Sequence, residues 1–381
     1  MNKINIYGNI FGSSGYDMHT KGLANGLAEA GNDVCLITNK PAGWERVVND
    51  RELGMLTKEI HKDGIDIMIG MPHSWKIVSS DRRPFIGFLV WEGDKIPIFW
   101  MPYLLDKSVL QIWVPSNHVR DAILNTFKGK AGLIDVMNKI KIVPHGVNHA
   151  KFYPIEFKVQ AVPEGQELEI QENHPWKPFT FIANKGWRNL QDRGGIQFLV
   201  KAYLEEFNSK DKIELKIKLN PAYGVPDITK LIDELKIENK DRPKLSFNAE
   251  FLEQKGLNKL YNSGDVFVST TMAEAFNLGG IEAMACGLPT LQTIFGGQVD
   301  YMTKENSWNI EGINLVPVQG DIMYEDIMWN KPDIKEIRKM MRYVFEHHDE
   351  VKLKSEKALQ DSYNWKWLNS AQKATKFLKE L

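Results

Sequence analysis

The sequence predicts an α/β protein of two domains, each built on a parallel sheet with helices on its faces. Its 381 residues are enough for two separate cores. Short apolar runs alternate with segments of helical periodicity through both halves, which is the pattern of strands joined by crossover helices. In each half one predicted strand also runs into a glycine-rich loop and then a helix, and open parallel sheets hold ligands beyond such strand ends.

The first half opens with a strand at Ile4–Tyr7, then Gly8-Asn-Ile-Phe-Gly12-Ser-Ser-Gly15-Tyr16, then a helix over 17–30 stopped by Gly31. Glycine lets a backbone approach phosphate and a helix start favours negative charge, so Gly12 and Gly15 are candidate ligand contacts. The spacing is not Gly-x-Gly-x-x-Gly, and a structural turn explains it equally well. Further strands are predicted at Asp33–Thr38, Ile65–Ile69, Pro84–Val90, Leu110–Val114 and Ile140–Val143, with a helix over 117–127. Two loops follow strand ends: Trp91-Glu92-Gly93-Asp94-Lys95-Ile-Pro97 and Pro144-His145-Gly-Val-Asn148. The first domain is assigned to residues 1–154, and the polar residues 155–177 to a linker or insertion.

The second domain, 178–355, starts with the strand Pro178–Ala183 and the loop Asn184-Lys185-Gly186-Trp-Arg188-Asn-Leu-Gln-Asp192-Arg193-Gly194-Gly195, before a helix over 196–207. Lys185, Arg188 and Arg193 among these glycines form a candidate anion cradle, since guanidinium gives bidentate hydrogen bonds to phosphate. The strands 213–219 and 244–247 and the helices 227–237 and 253–263 lead to the central stretch. There Val266–Thr270 is a strand, Thr271-Met-Ala-Glu274-Ala-Phe276-Asn277-Leu278-Gly279-Gly280-Ile-Glu282 a loop entering a short helix, and Thr290–Ile294 the next strand. One glutamate falls in the loop and the other on the helix, with Gly279-Gly280 between them. Phe295–Asp300 is a glycine loop past a strand, residues 308–329 are aromatic and irregular, 333–348 is a helix, and 351–381 a helical tail. The run His347-His348-Asp349-Glu350 reads as a solvated helix end, because adjacent helical residues point about 100° apart.

Composition narrows the function. Forty-eight Lys and Arg nearly balance 49 Asp and Glu, so no global field draws the chain to nucleic acid or to an acidic membrane. The two cysteines, Cys35 and Cys286, are far apart without metal-type spacing and read as buried free thiols. The N-terminus lacks an apolar signal region and no long apolar run occurs. The expectation is a cytoplasmic protein, at most touching a membrane face.

The order Glu274, seven residues, Glu282, set between two strands, resembles the Glu-x7-Glu signature of retaining nucleotide-sugar glycosyltransferases of the two-domain GT-B architecture, family four. The resemblance covers most of the chain. It implies two Rossmann-like domains whose sheets face a central cleft, with a closing helix, here 356–381, crossing back to the first domain. It implies a nucleoside-diphosphate sugar donor, with UDP or GDP as nucleotide, and a saccharide, lipid-linked or small-molecule acceptor. Glu274 then faces the sugar as the catalytic carboxylate, and Glu282 accepts ribose hydroxyls. Phe276, Asn277, Leu278 and Gly279 offer backbone N–H groups to the donor, and Arg188 and Arg193 grip its diphosphate. Lys185, Gly12 and Gly15 complete the donor contacts.

The family carries Lys-Gly where this chain has Arg193-Gly194. It carries a histidine after the fourth strand, where this chain has Trp-Glu-Gly-Asp. Glu92 and Asp94 are the candidates for that acceptor-side place. No Asp-x-Asp pair occurs, so neither metal nor other cofactor is expected. The rival readings are a phosphorylase or epimerase of the same architecture, and a non-catalytic sugar-nucleotide-binding subunit. The first needs a longer chain or lacks the glutamate run; the second turns on turnover.

Overall fold

A computed structural model describes residues 1–12, 14–78, 83–155, 177–220 and 224–381. The segment read as linker or insertion lies almost entirely outside the described residues. The first sheet holds β1 (Lys3–Tyr7), β2 (Asp33–Ile37), β3 (Ile65–Ile69), β4 (Phe85–Phe88), β5 (Val109–Val114) and β6 (Ile140–Ile142). Their order is β2-β1-β3-β4-β5-β6, all parallel. The second sheet holds β7 (Phe179–Lys185), β8 (Ile213–Leu219), β9 (Lys244–Asn248), β10 (Val266–Ser269), β11 (Thr290–Thr293) and β12 (Ser307–Ile310) in the order β12-β11-β10-β7-β8-β9, again parallel. Both orders reverse direction part-way across the sheet, between β1 and β3 and between β7 and β10, and loops part at such points to form crevices.

Burial explains why these segments are strands. Ile4, Ile6, Ile67, Ile86 and Trp113 are buried on one face of the first sheet and Met68, Phe85, Ile112 and Val114 on the other; in the second sheet Phe181, Leu215, Val266 and Leu291 are buried on one face and Ile182 and Phe267 on the other. A parallel strand covered on both sides needs a nearly continuous apolar run. Register follows from those covered faces: Phe181 lies beside Leu215 on one side and Val266 on the other.

The helix Gly15–Glu29 starts at Ser14, whose hydroxyl and the Asp17 carboxylate form a reciprocal cap. Its face carries Gly22 and Gly26, and against them lies the helix Trp367–Leu378. A Cβ on Gly26 would sit 2.6 Å from the Trp367 carbonyl oxygen, so only glycine admits so close an approach. Ala371, Ala374 and Leu378 then complete the core of the first domain. The crossing happens later than the sequence indicated. Residues 356–362 belong to the helix His348–Ser362, whose Ala358 packs against Ile281 and Met284 of the second domain. The chain passes over at Tyr363–Trp365, where the Val147 N–H donates to the Trp365 carbonyl at 2.7 Å.

At the other boundary, Tyr153 and Ile155 already donate their N–H groups to Asn258 and Asn262 of the second domain. The stretch 308–329, read as irregular, instead begins with β12 at the sheet edge. It continues as an arm in which β13 (Leu315–Pro317) pairs antiparallel with β14 (Met328–Asn330). Cys35 and Cys286 are buried free thiols. Among the described residues no helix is long and apolar enough to cross a membrane.

Candidate functional site

The crevice between β7 and β10 organises the site. Lys185 is the last residue of β7, and its side chain is only 7% exposed. Its ammonium donates to Glu274 Oε1 at 2.8 Å and to Asn277 Oδ1 at 2.7 Å. Asn277 turns the loop into the helix Leu278–Ala285 with a positive φ of 64°, a conformation asparagine tolerates better than most side chains. Its amide is fixed by Gln292 Oε1 (2.6 Å) and Ser269 Oγ (3.2 Å), and its carbonyl accepts from the Tyr301 hydroxyl at 3.0 Å. No side chain caps this helix, so its first-turn N–H groups, those of Leu278 and Gly279 included, open toward the loop.

Arg193 approaches from the loop after β7. That loop is clamped to the β10 loop: the Arg193 carbonyl accepts from the Met272 N–H (2.7 Å) and the Thr271 hydroxyl (3.0 Å). Gly195 has φ +76°, and a Cβ there would meet the Thr270 carbonyl at 1.9 Å. The guanidinium, 38% exposed, lies 3.2 Å from Glu92 Oε1 and 3.5 Å from Glu274 Oε2, and donates to the Ala273 carbonyl at 3.0 Å. Burial alone would raise the pKa of Glu274, but Lys185 and Arg193 outweigh it and hold the carboxyl below its ordinary value. Burial lowers that of Lys185, with Glu274 opposing. Burial would also lower Arg193, and Glu92 and Glu274 reverse this. The cluster therefore sets the carboxyl groups of Glu92 and Glu274 against the side chains of Lys185 and Arg193.

Glu92 belongs to the other domain, in the loop after β4. Its Oε1 also accepts the Tyr324 hydroxyl at 2.5 Å, and its carbonyl lies 2.8 Å from His118 Nε2. Tyr16 donates to the Val90 carbonyl at 2.8 Å, beside the same loop. Ser116 donates to the Ala275 carbonyl at 2.7 Å, and Asn117 binds the Asp300 carboxylate through its N–H and amide. The strand ends of the two sheets thus face each other across these contacts. Glu282, one turn into the Leu278–Ala285 helix, accepts from the Tyr261 hydroxyl at 3.0 Å, and burial raises its pKa to about 7.

Of the residues singled out from sequence, Glu274, Lys185, Arg193, Asn277 and Glu92 come together. Phe276 adjoins them with its ring against His145 and Tyr301. Asp94 does not join: its Oδ1 accepts the Met328 N–H at 2.7 Å, pairing the loop with β14 instead of facing the cleft. Arg188 is exposed and lines a hollow with Trp187, Asp227 and Lys230. Gly12 is a turn closed on its own helix, its N–H donating to Asp17 Oδ1 at 3.1 Å, with no space for a Cβ beside that carboxylate. Asp17 occupies the place an anion would take there. Gly15 is exposed, and a Cβ there would meet nothing within 4 Å among the described residues. Sequence reasoning passed over Tyr324, Tyr16 and His118. Tyr16 had a signal, as it opens the helix after the glycine loop; Tyr324 lay in a stretch without periodicity. Among the described residues no group of three His, Cys, Asp or Glu stands together as metal ligands.

Residues 187–319, which include the Arg193 loop and the Glu274–Glu282 stretch, match a family model described as glycosyl transferases group 1. Over these residues the second domain is similar to group 1 glycosyl transferases. An uncharacterized glycosyltransferase of Methanocaldococcus jannaschii is 23% identical over 81% of this chain and 82% of its own length. A probable sucrose-phosphate synthase of Thermosipho melanesiensis is 30% identical over 44% of this chain and 35% of its own. In structure, the sucrose-phosphate synthase of Thermosynechococcus elongatus superposes with a TM-score of 0.65 at 15% identity, covering 100% of this chain and 99% of its own. The Anabaena protein HepE, in complex with UDP and glucose, gives 0.63 at 12%, covering both chains in full. With its first domain, the chain has the GT-B glycosyltransferase fold.

Proposed function

We propose that this glycosyltransferase moves a hexosyl group from a UDP- or GDP-sugar to a saccharide, lipid-linked or small-molecule acceptor with retention of anomeric configuration, without a divalent metal. The observation that supports this best is the Glu274–Lys185–Arg193–Asn277 cluster beside an uncapped helix start. Arg193 is the cation within reach of a diphosphate, because its guanidinium is the most exposed member. A helix start supplies further positive potential to the same group. Charge-assisted bonds of this kind contribute on the order of 1.5–3 kcal/mol each to a departing diphosphate.

Lys185 holds Glu274 ionised where it faces the sugar, and a fixed carboxylate stabilises positive charge developing at the anomeric carbon. The acceptor oxygen bonds to that carbon as its bond to the β-phosphate oxygen breaks, and the acceptor proton passes to the departing phosphate. Glu282 receives ribose hydroxyls. The Anabaena neighbour, solved with UDP and glucose, favours a nucleotide-sugar donor.

The test is nucleotide release from a panel of UDP- and GDP-hexoses, with and without EDTA, and the anomeric configuration of any product read by NMR. Turnover unaffected by EDTA with a retained configuration is expected. Tight nucleotide binding without turnover for any acceptor would instead establish a binding subunit.

A further inference from the structure

The arm that leaves the second domain after β12 does not stay with it. It returns at Asn330, whose N–H donates to the Met272 carbonyl at 2.9 Å, but its tip is built into the first domain. Ile327, 1% exposed, packs in one cluster with Trp91, Ile96 and Trp100. A Cβ on Gly93 would lie 2.3 Å from the Ile327 side chain, so glycine at that position is what admits it. Asp94 and Met328 exchange two hydrogen bonds, Asp94 N–H to the Met328 carbonyl at 3.3 Å and Met328 N–H to the Asp94 carboxylate at 2.7 Å. Tyr324 stacks on Trp91 with ring centroids 4.9 Å apart. The loop that carries Glu92 is therefore pinned at Trp91, Gly93 and Asp94 by an arm from the opposite domain.

We propose that Tyr324 is a positioning residue for the acceptor side, fixing the Glu92 carboxylate so that Glu92 receives a hydroxyl of the acceptor other than the attacking one. This rests on the glycosyl-transfer reading above. The Tyr324 hydroxyl and the Arg193 guanidinium both fall on Oε1 of Glu92. A carboxylate has about four acceptor positions, and among the described residues Oε2 is the oxygen left to take an incoming hydroxyl. When a donor diphosphate draws Arg193 away, the ion pair that also held Glu92 is lost. The tyrosine remains. A neutral hydroxyl keeps the carboxylate in place without competing with the diphosphate for the cation, and the arm makes that placement depend on both domains being together.

Three variants of the full chain test this: Tyr324→Phe, Glu92→Gln and the two combined. Calorimetry with UDP and GDP reads the donor side, and nucleotide release from the sugar nucleotide that the wild type consumes reads the reaction. Tyr324→Phe keeps the stacking on Trp91 and removes only the hydroxyl. Nucleotide affinity is expected to stay within about twofold while turnover falls about tenfold or more, the effect of one hydrogen bond to a charged group. The combined variant should be no slower than Glu92→Gln alone. Wild-type turnover in Tyr324→Phe overturns the proposal, and so do losses that multiply in the combined variant, since the tyrosine would then act independently of Glu92.

A wild-type chain that binds nucleotide but consumes no sugar nucleotide overturns the transfer reading, and the role of Glu92 falls with it. Hydrogen exchange separates the two failures. Protection of the Asp94 amide that is lost in Ile327→Ala would leave the anchoring of the arm standing alone, and an Asp94 amide unprotected in the wild type would remove the anchoring as well.

Discussion

Lys185→Met tests the charge arrangement at the centre of the site. The lysine is 7% exposed and donates to both Glu274 and Asn277. Removing one partner of a buried ion pair costs about 3–5 kcal/mol, because the other charge is left in a poorly solvated place. Glu274 keeps some compensation: Arg193 stands 3.5 Å away and the carboxylate side chain is 18% exposed. The expected loss is therefore about 2–3 kcal/mol, the desolvation cost of one unsatisfied group. For a domain of this size that lowers the melting temperature by about 4–12 °C.

Adding Glu274→Gln removes the stranded charge and should recover about half of the loss, since replacing both members of a buried pair costs much less than breaking it. Circular dichroism melts of wild type, the two single variants and the double variant close the cycle. A Lys185→Met melt within about 2 °C of wild type, well below the shift expected from one such group, would refute the assignment of Lys185 as the counterion of Glu274. A double variant less stable than Lys185→Met would refute it too.

Burial holds Glu282 at about 7, above the 4.5 of an unperturbed carboxyl, so the folded state prefers its proton. Stability from that preference is full below pH 4.5 and is lost as the pH rises through about 7. Glu282→Gln should flatten the pH dependence of the melting temperature across that window, and identical wild-type and variant slopes would contradict the cause given. Gly26→Ala pits helix propensity against packing. Alanine gains about 1 kcal/mol in a helix, but overpacking against the Trp367 backbone costs about 1–3 kcal/mol, so thermal melts should show a net loss and limited proteolysis increased cleavage near Tyr363–Trp365. A stabilised variant would show that the two helices separate easily.

Much of this molecule was legible in its residues. Ile4–Tyr7, Ile65–Ile69 and Val266–Thr270 announce themselves as short runs rich in isoleucine, valine and phenylalanine, and the polar residues buried among them find partners inside the sheet, as Asn5 does in Asp66. The Glu274–Glu282 stretch is local, and so were its roles as loop and helix start. What escaped is long-range. Glu92 and Asp94 are equivalent candidates by type and place. They part company because Glu92 meets Arg193 and Tyr324 while Asp94 meets Met328, all distant in sequence. The arm offers no periodicity, since its apolar residues are spent one at a time on another domain: Ile327 in a pocket, Tyr324 on a tryptophan ring. Gly12 looked like a phosphate loop for the same reason that it caps a helix, as both uses need open backbone N–H groups, and only the position of Asp17 decides between them.

The helix Trp367–Leu378 sets the order in which this chain matures. Ala371, Ala374 and Leu378 complete a core that Leu23, Leu27, Met55 and Leu56 only partly fill, so part of one face of the first domain stays open during synthesis until the whole second domain has been made. A nascent chain generally folds its domains from the N-terminus onward. Here the earlier domain must wait for the later one, and its apolar face is open to chaperones and to aggregation in the interval. Synthesis speed and chaperone supply, more than the stability of the finished protein, should therefore govern how much of it a cell recovers.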